Sequence, residues 1–206
     1  MSAGLIPIRI ADDVFEFKVE TPAQAQALAS YLREDLTAED VVAGLDRVAV
    51  RFAPEDLDHV TARLAKVKRV PTAEQETGPA IEISVKYGGE AGPDLEQVCE
   101  ALDLTIDAFI ALHTGNIHTV EMIGFTPGFS YISGLPDDFA VPRLDNPRPR
   151  VAAGSVGISA GFTGIYALQA PGGWPLIGRT DAMLFDADRD SPFLLSPGQQ
   201  VRFRAT

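Results

Sequence analysis

Four arginines offer the clearest chemistry in this chain of 206 residues. Arg143, Arg148 and Arg150 alternate with prolines, and Arg179 follows in a Gly-Arg-Thr sequence. A guanidinium group binds a carboxylate or phosphate through two parallel hydrogen bonds, and the neighbouring prolines reduce the entropy lost when the side chains are held in place. This pattern predicts an anion site. The alternative, which the sequence leaves open, is ion pairing with a partner subunit or with nearby aspartates, namely Asp137, Asp138, Asp145 or Asp181.

Aromatic residues are concentrated in the same part of the chain. Most are expected to fill the core, but Phe129 and Trp174 adjoin Gly-Pro or Gly-Gly sequences, which are typical of shaped loops. These two side chains are therefore candidates for a pocket wall or an interface anchor. The full aromatic set is Phe125, Phe129, Tyr131, Phe162, Tyr166 and Trp174.

No activated nucleophile is evident in the sequence. The run from Gly157 to Gly161 matches G-x-S-x-G, but that motif requires a strand, a sharp turn and a helix, with a histidine later in the chain. A glycine-rich strand pattern follows here, and no histidine lies beyond His118. Cys99 falls on an apolar helix face and is expected to be a buried small hydrophobe.

His113 allows two interpretations. It ends a helical pattern with Ile106, Phe109 and Ile110 on one face, so it is either a buried histidine bonded to a carbonyl or a residue facing a binding cleft. A helix C-terminus favours the protonated ring and burial favours the neutral ring, so the sequence does not fix its charge. The histidines lack any recognised ligand spacing, and we expect no metal site.

Composition excludes several classes of protein. The net charge of −12 argues against a nucleic-acid surface and against docking to anionic lipid. The only nucleotide-loop candidate, Gly88–Pro93, lacks the Gly-Lys-Ser/Thr ending of such a loop, so we expect this chain to bind no cofactor itself. With a single cysteine and no signal-peptide pattern at the start, the sequence predicts a cytoplasmic protein.

The secondary-structure pattern predicts two domains. Residues 1–88 alternate strands with two helices, which indicates a small α+β sandwich whose helices cover one face of an antiparallel sheet. Residues 89–206 begin with two helices and continue as short strands separated by turn signals, which indicates a mainly-β barrel. The glycine-rich run Gly88–Pro93 is the expected boundary, and the pattern also predicts a strand at Met183–Phe185.

Several motifs in this second part resemble one protein family. The resemblance runs from about Tyr87 to the end, and it is to the family containing the B subunit of bacterial 5-oxoprolinase, allophanate hydrolase subunit 1, KipI and part of the carboxyltransferase region of urea amidolyase. It implies that the barrel is cyclophilin-like. The motifs, in order, are GFTPGFSYISGLP, PRLDNPRPRV, GSVGISAGFTGIY and APGGWPLIGRT.

The resemblance implies a function for a complex rather than for this chain alone. It implies that ATP drives the opening of the cyclic amide of 5-oxoproline to give glutamate, with ATP bound at a partner subunit. The implied partners are the A subunit, which is LamB/YcsF-like, and the C subunit, which is similar to carboxyltransferase subunit 2. The residues expected at the substrate site are His113, Phe129, Arg143, Arg150, Thr163, Tyr166 and Arg179.

Two other functions are compatible with the same resemblance. One is a carboxyltransferase component acting on urea-like amides, and the other is a KipI-like inhibitor of a histidine kinase. The chain also departs from the family pattern at two positions. Leu144 stands where many members have a second arginine, and Phe162 stands where many have a glutamine.

Overall fold

The computed structural model describes residues 5–71, 78–136, 139 and 141–206. The chain divides into two compact units, Met1–Glu76 and Thr77–Thr206. Among the described residues, no helix combines the length and the apolar character needed to cross a membrane.

The first unit is an antiparallel sheet packed against helices. Its strand order is β1-β2-β4-β3. Pro54–Asp56 forms a 3-10 turn just before the second helix. The elements are β1 (Ile8–Ala11), β2 (Val14–Lys18), α1 (Pro22–Asp35), β3 (Asp40–Ala43), β4 (Arg47–Arg51) and α2 (Leu57–Leu64).

Local sequence explains why this unit folds as it does. Thr21 caps α1 by accepting a hydrogen bond from the Gln24 amide at 3.2 Å, and Pro22 occupies the first helical turn. Buried residues of both helices share one apolar core with the buried face of the sheet. In this unit, helices thus pack against an antiparallel sheet, as the sequence pattern predicts.

The second unit is a closed seven-stranded barrel with two helices and a short ribbon. Around the barrel the strand order is β10-β7-β6-β13-β5-β12-β9, and β8 pairs with β11 outside it. The helices are α3 (Leu95–Ala101) and α4 (Ile106–Gly115). The strands are β5 (Ile81–Tyr87), β6 (His118–Ile123), β7 (Ser130–Ser133), β8 (Arg148–Val151), β9 (Ser155–Ser159), β10 (Phe162–Ile165), β11 (Ala170–Gly172), β12 (Leu176–Arg179) and β13 (Gln200–Ala205).

The predicted barrel is thus present, but it begins earlier than residue 89. Strand β5 pairs antiparallel with β12 and parallel with β13, so it is a strand of the barrel. The predicted domain boundary had placed it in the first domain, residues 1–88. The run Gly88–Pro93 is a turn between β5 and α3, and the Gly88 amide donates to the Ile177 carbonyl at 3.1 Å. A boundary at residue 88 therefore falls inside the second unit. The cyclophilin likeness stays a prediction.

Two other predictions can be compared with the structure, the one for Gly157–Gly161 and the one for Met183–Phe185. Ser159 ends β9, and a two-residue turn at Ala160 and Gly161, both with positive φ, leads directly into β10. This hairpin confirms that G-x-S-x-G is no nucleophile elbow here. The strand predicted at Met183–Phe185 is absent, since this segment forms only one isolated bridge, between Phe185 and Phe193.

The turn before α3 depends on close packing at Gly92. A Cβ at this position would overlap the backbone carbonyl of Ile177, which cannot move without disturbing β12. We expect Gly92→Ala to lower the free energy of unfolding by about 2–3 kcal/mol, because extra volume forces the backbone apart. Urea denaturation of the whole chain measures this change.

Gly115→Ala is the matched control, because a Cβ at Gly115 meets no atom within 4 Å. Its effect should stay within about 1 kcal/mol. Equal losses of stability in the two variants would contradict the packing argument.

Candidate functional site

An aromatic cavity is lined by side chains that lie in or next to β7, β10 and β12. Phe129, only 2% exposed, lies at its centre and meets Tyr131, Tyr166 and Trp174 edge to face, with ring centroids 4.9–5.6 Å apart. The cavity has a volume of about 270 Å³ and also includes Arg143 and Phe125 in its wall. Such a cavity suits a small ligand with an apolar body and one anionic group.

A larger cavity of about 490 Å³ shares Arg143 and Leu144 with the aromatic one. The Leu144 amide donates to the Gly173 carbonyl at 2.7 Å, which fixes the segment between the two cavities. The Arg143 side chain is exposed, and among the described residues it has no carboxylate partner. Asp137 and Asp138, two of the predicted alternatives, lie outside the described residues.

The guanidinium of Arg148 forms a salt bridge within the protein. It pairs with Asp94 at 2.8 Å, and the other Asp94 oxygen accepts the Leu176 amide at 2.6 Å. Arg148 is therefore ion-paired, but with Asp94, which is none of the four aspartates named from the sequence. The pair connects β8 to the beginning of β12 and to the start of α3.

The other two predicted arginines lie elsewhere. Arg150 is exposed on β8 and lines none of the cavities described here. Arg179 lines a separate cavity of about 280 Å³ together with Glu82, Lys86 and Asp181. The structure thus brings Arg143 together with Phe129 and Tyr166, and leaves Arg150 and Arg179 outside that group.

His113 and Thr163 meet in the barrel core. His113 is fully buried, its Nε2 lies 3.0 Å from the Thr163 hydroxyl, and its Nδ1 lies 2.6 Å from the Tyr87 hydroxyl. The Phe203 ring stacks against it at 4.3 Å. The buried interpretation therefore describes this histidine, with two hydroxyls in place of the expected carbonyl. Neither His113 nor Thr163 lines the aromatic cavity.

Burial decides the charge that the sequence left open. Desolvation, with a smaller contribution from His118, lowers the pKa of His113 to about 3. Burial also raises the pKa of the Tyr87 hydroxyl, which keeps its proton. The group Tyr87–His113–Thr163 is therefore neutral at ordinary pH, and it stabilises the core by satisfying buried polar atoms.

Stability should consequently depend on pH through His113. Its folded pKa of about 3 lies below the ordinary value of 6.5, so acid protonates the unfolded chain first. The free energy of unfolding should fall as the pH is lowered from about 6.5 to the folded pKa of about 3, and this one group contributes up to about 1.4 kcal/mol per pH unit. Urea denaturation at a series of pH values measures the slope.

His113→Gln supplies the comparison, because it removes the titrating ring. The variant should be less stable throughout, yet its stability should fall less steeply over the same pH range. Parallel slopes in the two proteins would assign the acid sensitivity to other groups.

No metal centre is apparent in the part of the chain that the structure describes, where His, Cys, Asp and Glu form no group of three or more with suitable spacing. Cys99 is buried, and desolvation raises the pKa of its thiol. The aromatic cavity offers a ligand the guanidinium of Arg143, the phenols of Tyr131 and Tyr166, and apolar rings.

The family of the chain follows from comparison with known proteins. The family described as "Carboxyltransferase domain, subdomain C and D" matches residues 9–195. The chain belongs to this family, in agreement with the resemblance that its motifs carry.

Two relatives share a name. The chain is 39% identical over 187 residues to the B subunit of 5-oxoprolinase from Haemophilus influenzae, a match that covers 90% of this chain and 87% of that protein. It is 49% identical over 123 residues to the protein of the same name from Escherichia coli O157:H7, covering 60% of this chain but 56% of the other. Similarity to the first relative thus extends over nearly the whole chain.

A solved structure has the same fold within a longer protein. The crystal structure of TTHA0988 superimposes with a TM-score of 0.79 at 33% identity, and the match covers 94% of this chain. It accounts for 40% of the TTHA0988 chain. In that protein, the region related to this chain is joined to further polypeptide.

Sequence reasoning missed the partners of two predicted site residues, Asp94 for Arg148 and Tyr87 for His113. It assigns no role to Asp94, although Asp94 pairs with the anion-binding candidate Arg148. Its position before α3 is visible in the sequence, but its partner is 54 residues away, and no local signal indicates that pairing. In the sequence, Tyr87 is notable only as the approximate start of the family resemblance. Its hydrogen bond with His113 forms when the barrel closes, so no local pattern predicts it.

Proposed function

We propose that this chain is the B subunit of a multi-subunit, ATP-dependent 5-oxoprolinase. The observation that carries the proposal is the 39% identity to the Haemophilus influenzae protein of that name, over 90% of this chain. The reaction breaks the ring C–N bond of 5-oxoproline with one water, so that the ring nitrogen becomes the amine of glutamate. Because the lactam is stable, ATP hydrolysis drives the step.

The aromatic cavity supports this assignment. 5-Oxoproline is a small ring with one carboxylate, and a cavity of about 270 Å³ with one arginine in its wall matches both features. In this proposal Arg143 binds the carboxylate, and Phe129 and Trp174 pack against the ring. Burial raises the pKa of Tyr166, so its hydroxyl keeps a proton that it donates to the lactam carbonyl.

The remaining chemistry is assigned to two partners. The LamB/YcsF-like A subunit, together with the C subunit that is similar to carboxyltransferase subunit 2, would supply the ATP site and activate the amide oxygen. In this proposal the chain alone is inactive and binds no cofactor, and the complex works in the cytoplasm, where ATP is available. The matched family, which comprises subdomains C and D of a carboxyltransferase domain, is consistent with a chain that works beside others.

Reconstitution of the three purified subunits tests the proposal. We expect release of glutamate and ADP that requires 5-oxoproline, ATP and all three polypeptides. Complete activity without this chain would refute the assignment. Copurification with a biotin carrier would instead favour a urea-type carboxyltransferase, and loss of kinase autophosphorylation on adding the chain would favour a kinase inhibitor.

Arginine variants test the proposed carboxylate contact. Arg143→Ala should reduce kcat/KM of the assembled complex about ten- to a hundredfold, because a charge-assisted hydrogen bond to substrate is lost. Arg179→Ala alters an equally exposed arginine in a different cavity, and it should change kcat/KM no more than about twofold. The opposite ranking would assign the carboxylate to Arg179.

A further inference from the structure

The first unit has a surface cleft in which every charged side chain is a cation. Its volume is about 540 Å³, and its walls hold three basic residues and no acidic one. This grouping contrasts with the net charge of the molecule, which is −12. We call it the basic cleft, and its walls consist of Tyr31, Lys66, Val67, Lys68, Arg69 and Pro71.

The backbone that carries the basic residues is held in place. Val67 is only 7% exposed and belongs to the apolar core of the unit, while Lys66 and Lys68 on either side of it are exposed. The Lys68 carbonyl accepts the Leu5 amide at 3.4 Å. The two lysines are therefore presented from an anchored stretch of chain.

Another wall of the basic cleft comes from α1, where Tyr31 is 40% exposed. Arg63 of α2 donates to the Asp35 carbonyl at 3.1 Å and also pairs with the Asp35 carboxylate. These bonds connect the end of α2 to the end of α1. The Tyr31 backbone and the backbone that carries the cations thus keep a constant spacing, so less order has to be imposed when a ligand binds.

The three cations have no acidic partner among the residues that the structure describes. Lys66, Lys68 and Arg69 are exposed, and none of them takes part in a salt bridge there. Arg63, just before them in the chain, is by contrast paired with Asp35. Like charges repel one another, and an anionic occupant would relieve that repulsion.

The basic cleft suits carboxylates along a peptide better than a compact phosphate group. Phosphate sites commonly use the amides of a helix N-terminus, but Lys66 follows the C-terminal end of α2 by two residues. The cations are spread over residues 66–69, which matches acidic side chains spaced along an extended chain. The exposed Tyr31 ring offers a contact for an apolar side chain of the same peptide.

We propose that the basic cleft binds an acidic segment of a different protein, with carboxylates at the three cations and an apolar side chain against Tyr31. The inference does not rest on the proposed 5-oxoprolinase activity, because the basic cleft lies within the first unit and shares no residue with the aromatic cavity. It assigns a binding role to the first unit, which contributes no residue to that cavity.

A fluorescein-labelled peptide with the sequence Glu-Glu-Leu-Glu-Glu tests the inference directly. Its fluorescence anisotropy should rise with saturation as the full chain is added in about 20 mM salt, and Kd should increase about threefold or more in about 200 mM salt, because salt screens exposed charges. The same peptide with glutamine in place of each glutamate should not bind. Absence of saturable binding by the acidic peptide would overturn the inference.

Charge reversals locate the binding site. Lys68→Glu and Arg69→Glu should each raise Kd for the acidic peptide about tenfold or more, since each places a repelling charge in the basic cleft. Lys18→Glu is the matched control, because Lys18 is an exposed lysine at the end of β2, outside the cleft, and its Kd should stay within about twofold of that of the unmodified chain. Unchanged urea midpoints would show that the variants are folded. Equal effects of Lys18→Glu and Lys68→Glu would reduce binding to non-specific attraction and overturn the inference.

Variants of Tyr31 and competing ligands separate a peptide from other occupants. Tyr31→Ala should raise Kd about threefold or more, whereas Tyr31→Phe, which keeps the ring, should leave it within about twofold. Displacement of the labelled peptide by inorganic phosphate or by single-stranded oligothymidylate at a lower concentration than by the unlabelled acidic peptide would assign the cleft to phosphates and overturn the inference. A dimer seen by light scattering and dissociated by Lys68→Glu would overturn it in favour of a second copy of the chain.

Discussion

The walls of the candidate site depend on the two bonds that the Asp94 carboxylate forms, one with the Leu176 amide and one with Arg148. One oxygen accepts the Leu176 amide, the other pairs with Arg148, and the Asp94 amide donates back to the Leu176 carbonyl at 3.0 Å. These bonds hold the start of α3, the start of β12 and β8 at one point. Because the carboxylate is nearly buried, both oxygens need these partners, and the three elements are mutually constrained.

In the barrel core, the buried polar groups are neutral and form hydrogen bonds with one another. His113 brings two ring nitrogens into an apolar interior, and Tyr87 and Thr163 satisfy both. Their hydroxyls come from strands on different sides of the barrel, so the contact forms only when the barrel closes. The polar group therefore favours one register of closure, whereas apolar packing alone tolerates several.

Sequence reasoning succeeded where the determining forces are local. The burial of Cys99 and the strand pattern around Gly157–Gly161 follow from neighbouring residues, and the short strands separated by turn signals indicated the barrel. It was less successful with contacts between distant positions. The Asp94–Arg148 pair and the assignment of β5 to the barrel depend on chain closure, and the grouping of Arg143 with Phe129 depends on loop paths that propensities do not encode.

The position of Cys99 has a practical consequence. It is the only thiol in the chain, it is buried, and its raised pKa keeps it protonated at neutral pH. A thiol-reactive dye should therefore spare the native protein and label a cysteine introduced on the surface. This makes the chain a natural template for single-site fluorescence labelling, so that encounters with other proteins can be followed in real time without first removing a native cysteine.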